Sequence, residues 1–197
     1  MIYSVKGTVI HIESGFAVVE CAGIGYKVQT TLTTQRELKI GSTATLFTHM
    51  NVREDAVELF GFYSKGELST FKLLISISGV GPKVALAILS ELSSEQIALS
   101  VSAGDYKTLT RASGVGPKLA QRIVLELKDK IKGMSTESAD GVITKGSAIA
   151  DTGNIPKAVA ALAVLGYSAA DVTPVLSQLD PSLTVEQLIS ATLKRMG

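Results

Sequence analysis

Two short glycine turns carry the residues of this 197-residue chain that are best suited to chemistry. Ser78-Gly79-Val80-Gly81-Pro82-Lys83 returns, 35 positions later, as Ser113-Gly114-Val115-Gly116-Pro117-Lys118. Both hexapeptides could hold an anion. Glycine tolerates φ > 0 and lets a foreign backbone come close. Proline in the first helical turn gives up an N–H that would have no intrahelical partner there. The N–H groups that remain point outward, with the positive end of the helix dipole behind them. A phosphate suits that surface, and Lys83 and Lys118 add full charges beside it.

The repeat extends beyond the turns. Leu74, Ala85, Ile88, Glu91 and Leu92 reappear as Leu109, Ala120, Ile123, Glu126 and Leu127. Each copy reads as apolar helix, glycine turn, second helix. One such unit would be an ordinary helical hairpin; two with Gly-Val-Gly-Pro-Lys in equivalent places favour phosphate binding. This is the helix-hairpin-helix motif of DNA-binding proteins, and a tandem pair suits a grip on the minor groove through backbone groups. Such contacts position a protein without reading sequence. Lys118 and Arg122, four residues apart, share a helix face, and Lys128, Lys130 and Lys132 extend the charge.

Other candidates are weaker. Asn51-Val52-Arg53-Glu54-Asp55-Ala56 reads as a charged tip between two strands, for which simple solvation is the bland account. Glu54 and Asp55 are sequence neighbours with no His or Asp cluster nearby, which argues against a metal-dependent nuclease. His11 and His49 fall inside strand runs and read as structural, and Cys21 as a buried thiol. Gly61-Phe62-Tyr63-Ser64-Lys65-Gly66-Glu67 approaches a phosphate-binding loop but has glutamate where that loop needs lysine. Gly-x-Ser-x-Gly, His-Glu-x-x-His and Cys-x-x-Cys are absent. ATP hydrolysis, a cofactor and a catalytic metal are therefore not expected.

The elements that must position these residues follow from periodicity. Met1–Ile12, Phe16–Cys21, Gly25–Thr31, Thr43–Met50 and Ala56–Phe62 are rich in Val, Ile, Thr, Phe and Tyr and read as five strands. Five strands in some 60 residues suggest a compact barrel of the OB type. From Ser64 the period becomes helical, with Leu68, Phe71, Leu74 and Ile75 before the first turn. Residues 133–153 are mostly Gly, Ser, Thr, Ala and Asp without apolar period, and read as a linker of roughly 25 Å random-coil reach. Beyond it, Asn154-Ile155-Pro156 opens a helix, and Ser168–Asp171 and Thr184–Gln187 have capping-box spacing. A three-helix module of this size is near the lower limit of independent stability and suits recruitment of a partner. The expected class is α+β and multi-domain. An OB-type β-barrel (1–63) precedes an all-α tandem helix-hairpin-helix domain (64–132), and a flexible linker (133–153) leads to a three-helix domain (154–197).

Charge agrees with that division. Net charge is only +1, but residues 63–132 hold ten basic against six acidic side chains. Residues 1–62 hold five against six, and 133–197 four against six. Basic charge thus travels with the glycine turns. A single cysteine excludes an internal disulfide and fits a reducing compartment. No signal peptide or long apolar run is found, so a cytoplasmic chain without a membrane partner is expected.

The order of motifs can be placed in a family. Val-Arg-Glu-Asp-Ala sits at a hairpin tip, and Leu-Phe-Gly-Phe closes the next strand. Two Gly-Val-Gly-Pro-Lys hairpins follow, then a loose linker and a tail containing Ala-Leu-Ala-Val-Leu-Gly-Tyr. This resembles the RuvA family, the Holliday-junction-recognition subunits of the bacterial branch-migration machine, over essentially the whole chain except the linker. The resemblance implies a homotetramer that holds a four-way junction in an open square, with room for a second tetramer on the other face. It implies duplex arms held by Gly79, Gly81, Gly114 and Gly116 N–H groups, aided by Lys83, Lys118 and Arg122. Glu54 and Asp55 match the family's acidic pin at the junction centre. Leu162, Leu165 and Tyr167 match the stretch that contacts RuvB, a hexameric ring ATPase, and the RuvC resolvase is implied in the same complex. Pro117 stands where some relatives have lysine, so one phosphate contact is expected to be absent.

Two other classes stay open on sequence grounds. A DNA-lesion glycosylase of the helix-hairpin-helix type would need a catalytic Asp or Lys soon after the second turn, and Asp140 falls in the linker instead. A general DNA-binding scaffold would share the hairpins but show no preference for junctions. The tail also resembles a ubiquitin-associated module, through shared topology.

Overall fold

The computed structural model describes residues 1–137, 154–164, 167 and 169–196. By packing, the chain forms two units. One comprises Met1–Ser93 with Arg111–Val115; the other comprises Ser94–Thr110 with the chain from Gly116 onward.

The first unit begins with a closed barrel. Strands β1 (Ser4–Glu13), β2 (Phe16–Cys21), β3 (Ile24–Gln29), β4 (Thr43–Val52) and β5 (Val57–Phe62) run around it in the order β1-β2-β3-β5-β4. All pairings are antiparallel except β3 with β5, which is parallel at Gln29 and Phe60. Alternation sets the inside: Val5, Val9, Ala17, Val19, Val28, Ala44, Leu46 and Leu59 form the core. The strands coincide with those read from sequence to within a few residues. Between β3 and β4 lies a six-residue helix, α1 (Leu32–Glu37), that periodicity did not reveal. Its residues Thr33 and Thr34 favour strand by propensity, and the helix depends on its cap, Thr31 Oγ1 accepting from Thr34 N at 3.0 Å.

Two devices join the barrel to helix α2 (Lys65–Ile75). Phe71 of α2 packs against Phe60 (5.3 Å between ring centroids) and Phe62 (4.8 Å), and all three are fully buried. Burying each such ring contributes about 1.5–3 kcal/mol. Beside them Glu67 accepts from the hydroxyls of Thr31 and Thr34. Ser64 caps α2 by accepting from Glu67 N at 3.1 Å. The segment that approached a phosphate loop in sequence is thus the end of β5 and a helix cap. His49 lies 5.7 Å from the Phe71 ring, and its pKa is lowered by burial and then by the nearby Lys72 charge. Cys21 is half-buried, not buried, and its thiol lies 2.9 Å from the Lys6 carbonyl. It sits at the end of β2 and packs at the edge of the barrel core. Helix α3 (Pro82–Glu91) completes this unit and is tied to α1, where Leu32 N donates to Ser90 Oγ at 3.1 Å.

The second unit is helical. It holds α4 (Ser94–Ala103), the single turn α5 (Tyr106–Leu109), α6 (Pro117–Glu137), α7 (Asn154–Val164), α8 (Ala169–Leu176) and α9 (Val185–Met196). Helix α6 passes Lys132 and runs through Glu137, five residues into the expected linker; residues 138–153 of that linker lie outside the described ones. The tail helices share one apolar cluster built on Ala158, Leu162, Val172, Leu176, Leu188 and Ile189. Ala98 of α4 belongs to the same cluster, so the tail packs on α4 within this unit. The Thr184–Gln187 capping box forms, Thr184 N donating to Gln187 Oε1 at 3.0 Å and Gln187 N to Thr184 Oγ1 at 3.3 Å. Among the described residues no single helix is long and apolar enough to cross a membrane.

Candidate nucleic-acid interface

The two glycine turns match bond for bond. In the first, α2 ends at Ile75 and Val80 N donates to Ile77 O at 3.0 Å. Gly79 has φ +89°, a left-handed conformation that costs most side chains about 1–2 kcal/mol. Gly81 is the N-cap of α3, with φ −83° and ψ 170°, and the helix starts with Ala85 N donating to Gly81 O at 3.0 Å. In the second turn, Val115 N donates to Ala112 O at 3.2 Å, Gly114 has φ +81°, and Ala120 N donates to Gly116 O at 2.9 Å. Val80 and Val115 are buried and anchor their turns.

The four glycines serve two purposes. Gly79 and Gly114 satisfy a backbone requirement. Gly81 and Gly116 do not: a Cβ on either would meet no atom of the described chain within 4 Å. Barrel glycines differ, since a Cβ at Gly7 would fall 1.9 Å from Glu20 O and one at Gly61 2.4 Å from Val28 Cγ1. Gly81 makes no side-chain cap, so the first-turn N–H groups of α3 are not covered by the residue before them. Both glycines are exposed, as are Lys83, Lys118 and Arg122. Each turn therefore presents helix-terminal N–H groups, an open approach and a lysine.

Glu54 and Asp55 occupy the tip of the β4–β5 hairpin and are both exposed. The tip is closed by Arg53 N donating to Ala56 O at 2.8 Å and stiffened by an ion pair between Arg53 and Glu58. Neither tip carboxylate makes a hydrogen bond or ion pair among the described residues, so both face solvent.

The tail residues divide three ways. Leu162 is fully buried in the tail cluster, so it shapes the tail surface from beneath and cannot itself touch a partner. An apolar position on a helix looks the same in sequence whether it faces core or partner. Leu165 lies outside the described residues. Tyr167 is half-buried, with its N–H on Leu162 O (3.1 Å) and its hydroxyl donating to Glu95 Oε1 of α4 (3.1 Å). Burial, then the Glu95 charge and hydrogen bond, push the Tyr167 pKa up to about 12. Sequence reasoning missed both Glu95 and Glu67 as partners. Ser64-x-x-Glu67 was a legible cap, but nothing local pointed to the threonines that Glu67 also holds.

A five-stranded barrel followed by paired glycine turns, each opening a proline-started helix, defines a tandem helix-hairpin-helix protein. Family models agree segment by segment: RuvA N terminal domain over residues 1–61, SAM-like helix-hairpin-helix tandem over 71–129, and RuvA C-terminal domain over 157–197. Among curated relatives, a protein of Corynebacterium efficiens is 40% identical, covering 100% of this chain and 99% of its own length. One from Clostridium botulinum (strain Loch Maree) is 42% identical over 98% of this chain and 97% of its own, and one from Acetivibrio thermocellus 41% identical over the same shares. Each bears the name Holliday junction branch migration complex subunit RuvA. The chain belongs to the RuvA family.

Proposed function

We propose that this chain binds four-way DNA junctions in the cytoplasm, holds them open, and presents them to a RuvB-type ring ATPase for branch migration in recombination and repair. It supplies the grip and the geometry; the ATPase supplies the work. Four copies form the binding face. Gly79, Gly81, Gly114 and Gly116 N–H groups hold phosphates, with Lys83, Lys118 and Arg122 adding charge. Glu54 and Asp55 stand at the centre of the junction, where they repel phosphates and keep the strands apart. The tail, where half-buried Tyr167 lies over the buried Leu162, docks the ATPase, with Leu165 of the same stretch taking part in the contact.

One observation carries the reading. Gly81 and Gly116 have no internal reason to be glycine, yet they occupy equivalent places before two helix N-termini. A surface kept bare of Cβ atoms where helix N–H groups emerge is suited to close approach by a phosphate backbone. The test is a gel-shift titration of a four-way junction against linear duplex, with and without RuvB, alongside light scattering. Preferential binding of the junction by a four-chain species, and a further shift with RuvB, are expected. Equal affinity for linear duplex would reduce the chain to a general DNA-binding scaffold, and base release from damaged duplex would point to a glycosylase.

A further inference from the structure

The β4–β5 hairpin overshoots the barrel, and its two faces differ. Side chains alternate along a strand, so Ala44, Leu46, Thr48, Met50 and Val52 share the face of β4 that lines the core. On β5, Leu59 and Val57 share the matching face. Leu46 and Leu59 are buried in the barrel core and Met50 packs at its edge. The next pair outward, Val52 and Val57, stand directly opposite one another in the ladder. They are 62% and 70% exposed. Directly paired residues on one face lie close enough for their side chains to touch, so they form one apolar knob. The other face of the same hairpin end carries the Arg53–Glu58 ion pair. Glu54 and Asp55 lie just beyond, at the tip.

We infer that Val52 and Val57 form an apolar wedge that packs against nucleobases exposed where strands separate. This rests on the proposed place of the hairpin at the junction centre. The occupant is chosen by chemistry. Carboxylates at the tip repel phosphates, so the part of DNA that can sit beside them is the base, not the backbone. A base pair that has lost its stacking neighbour presents a flat apolar face, and aliphatic side chains are what proteins insert against such faces. Valine also suits the ladder itself, being β-branched. The ion pair behind the knob holds the hairpin stiff when the apolar face is loaded. Under this reading the acids clear phosphates from the centre, and the valines cover the last base pairs of the arms that have opened.

The test uses the full-length chain and a four-way junction carrying 2-aminopurine in the base pairs at the crossover, whose emission rises when they unstack. Val52→Thr with Val57→Thr keeps branching at Cβ while replacing a methyl by a hydroxyl on each side. The double variant is expected to keep parental mass by light scattering and parental junction affinity, with the emission rise roughly halved and RuvB-driven migration slowed. Val52→Ile with Val57→Ile should restore the rise, which a general fault in folding would not allow. An unchanged rise in the threonine variant would overturn the wedge. A fall in mass would also overturn it, by making the valines a contact between copies of this chain. If the parent itself shows no preference for the junction, the functional reading fails first and the wedge falls with it; parental preference with an unchanged rise removes the wedge alone.

Discussion

Thr34 Oγ1 lies 2.7 Å from Glu67 Oε2, a hydroxyl of the barrel's short helix donating to a buried carboxylate at the start of α2. Thr31 donates to the other oxygen of the same carboxylate. Tyr63 N in turn donates to Thr34 Oγ1 at 2.9 Å. Helix α2, which leads into the first glycine turn, is thereby tied at its start to the barrel by a polar clamp beside the Phe60–Phe62–Phe71 stack. Glu67→Ala would leave two buried hydroxyls without their acceptor and is expected to cost about 3–6 kcal/mol, since two bonds to a charged group are lost and each contributes about 1.5–3 kcal/mol. Glu67→Gln should cost less, because an amide keeps one accepting oxygen and the shape. Urea titration of both variants checks the order.

Lys118 and Arg122 are expected to act on DNA through charge alone. Replacing both by Gln should weaken junction and duplex binding together and make the salt dependence shallower. Each lost phosphate contact should lower the slope of log K against log[salt] by roughly 0.9. Affinity measured at several salt concentrations reads the slope directly. A slope equal to the parent's would remove both side chains from the grip.

What the sequence made legible was whatever is settled locally. The glycine turns stood out because backbone conformation and open approach restrict residue type at Gly79, Gly81, Gly114 and Gly116, and because the pattern occurs twice. Strand limits followed from alternation, and the Thr184 cap from its spacing to Gln187. What escaped depends on partners distant in sequence. Glu67 is 36 residues from Thr31, and Tyr167 is 72 residues from Glu95. Helix α1 escaped because a tertiary setting overrides the strand preference of its threonines. Leu162 could be placed on an apolar face, but only packing shows that the face is internal. Composition placed the start of the linker at Gly133, yet α6 continues past it to Glu137.

The tail has a pH signature of its own. Packed against α4, Tyr167 holds its proton more tightly than in an unpacked tail, where its pKa would return to 10.0 from about 12. A group whose pKa is raised on packing contributes stability that is intact below the lower value and is lost as pH rises toward the upper one. Packing of the tail on α4 is therefore expected to be independent of this group below pH 10 and to weaken between about 10 and 12. Tyr167→Phe should remove that dependence. Amide exchange or limited proteolysis of the tail across this range, parent against variant, measures it.

Leu162 and the tail surface must be tested separately. Leu162→Asp would bury an unpaired charge and is expected to unfold α7–α9, visible as lost helical signal. A chain ending after Glu137 keeps the whole of α6 and should still bind junctions while failing to support ATP-driven migration. Migration at the parental rate by that shortened chain would contradict the docking role of the tail.

Glu54→Gln with Asp55→Asn tests the tip. At about 7 Å a carboxylate–phosphate pair repels by roughly 0.6 kcal/mol in water and about 2.4 kcal/mol at an effective dielectric of 20. Four tips around a centre would multiply that penalty for duplex lying across it, while an open junction avoids it. The double variant should hold junctions as tightly as the parent or more so, gain affinity for linear duplex, and change the rate of migration. Unaltered discrimination between the two DNA forms would return the tip to a merely solvated hairpin.

The grip is tested most directly by Gly81→Val with Gly116→Val. Gly81 has an ordinary φ of −83°, and a Cβ at either position meets nothing within 4 Å, so the folded chain should accept both side chains with little change in thermal midpoint. Binding should not survive, because the branched side chains would occupy the space a phosphate must enter. The decisive measurement is junction and duplex affinity of this double variant beside its melting curve. A parental melting curve with binding to every DNA form abolished is the expected result. A variant that melts as the parent does and still holds the four-way junction with parental affinity would contradict it.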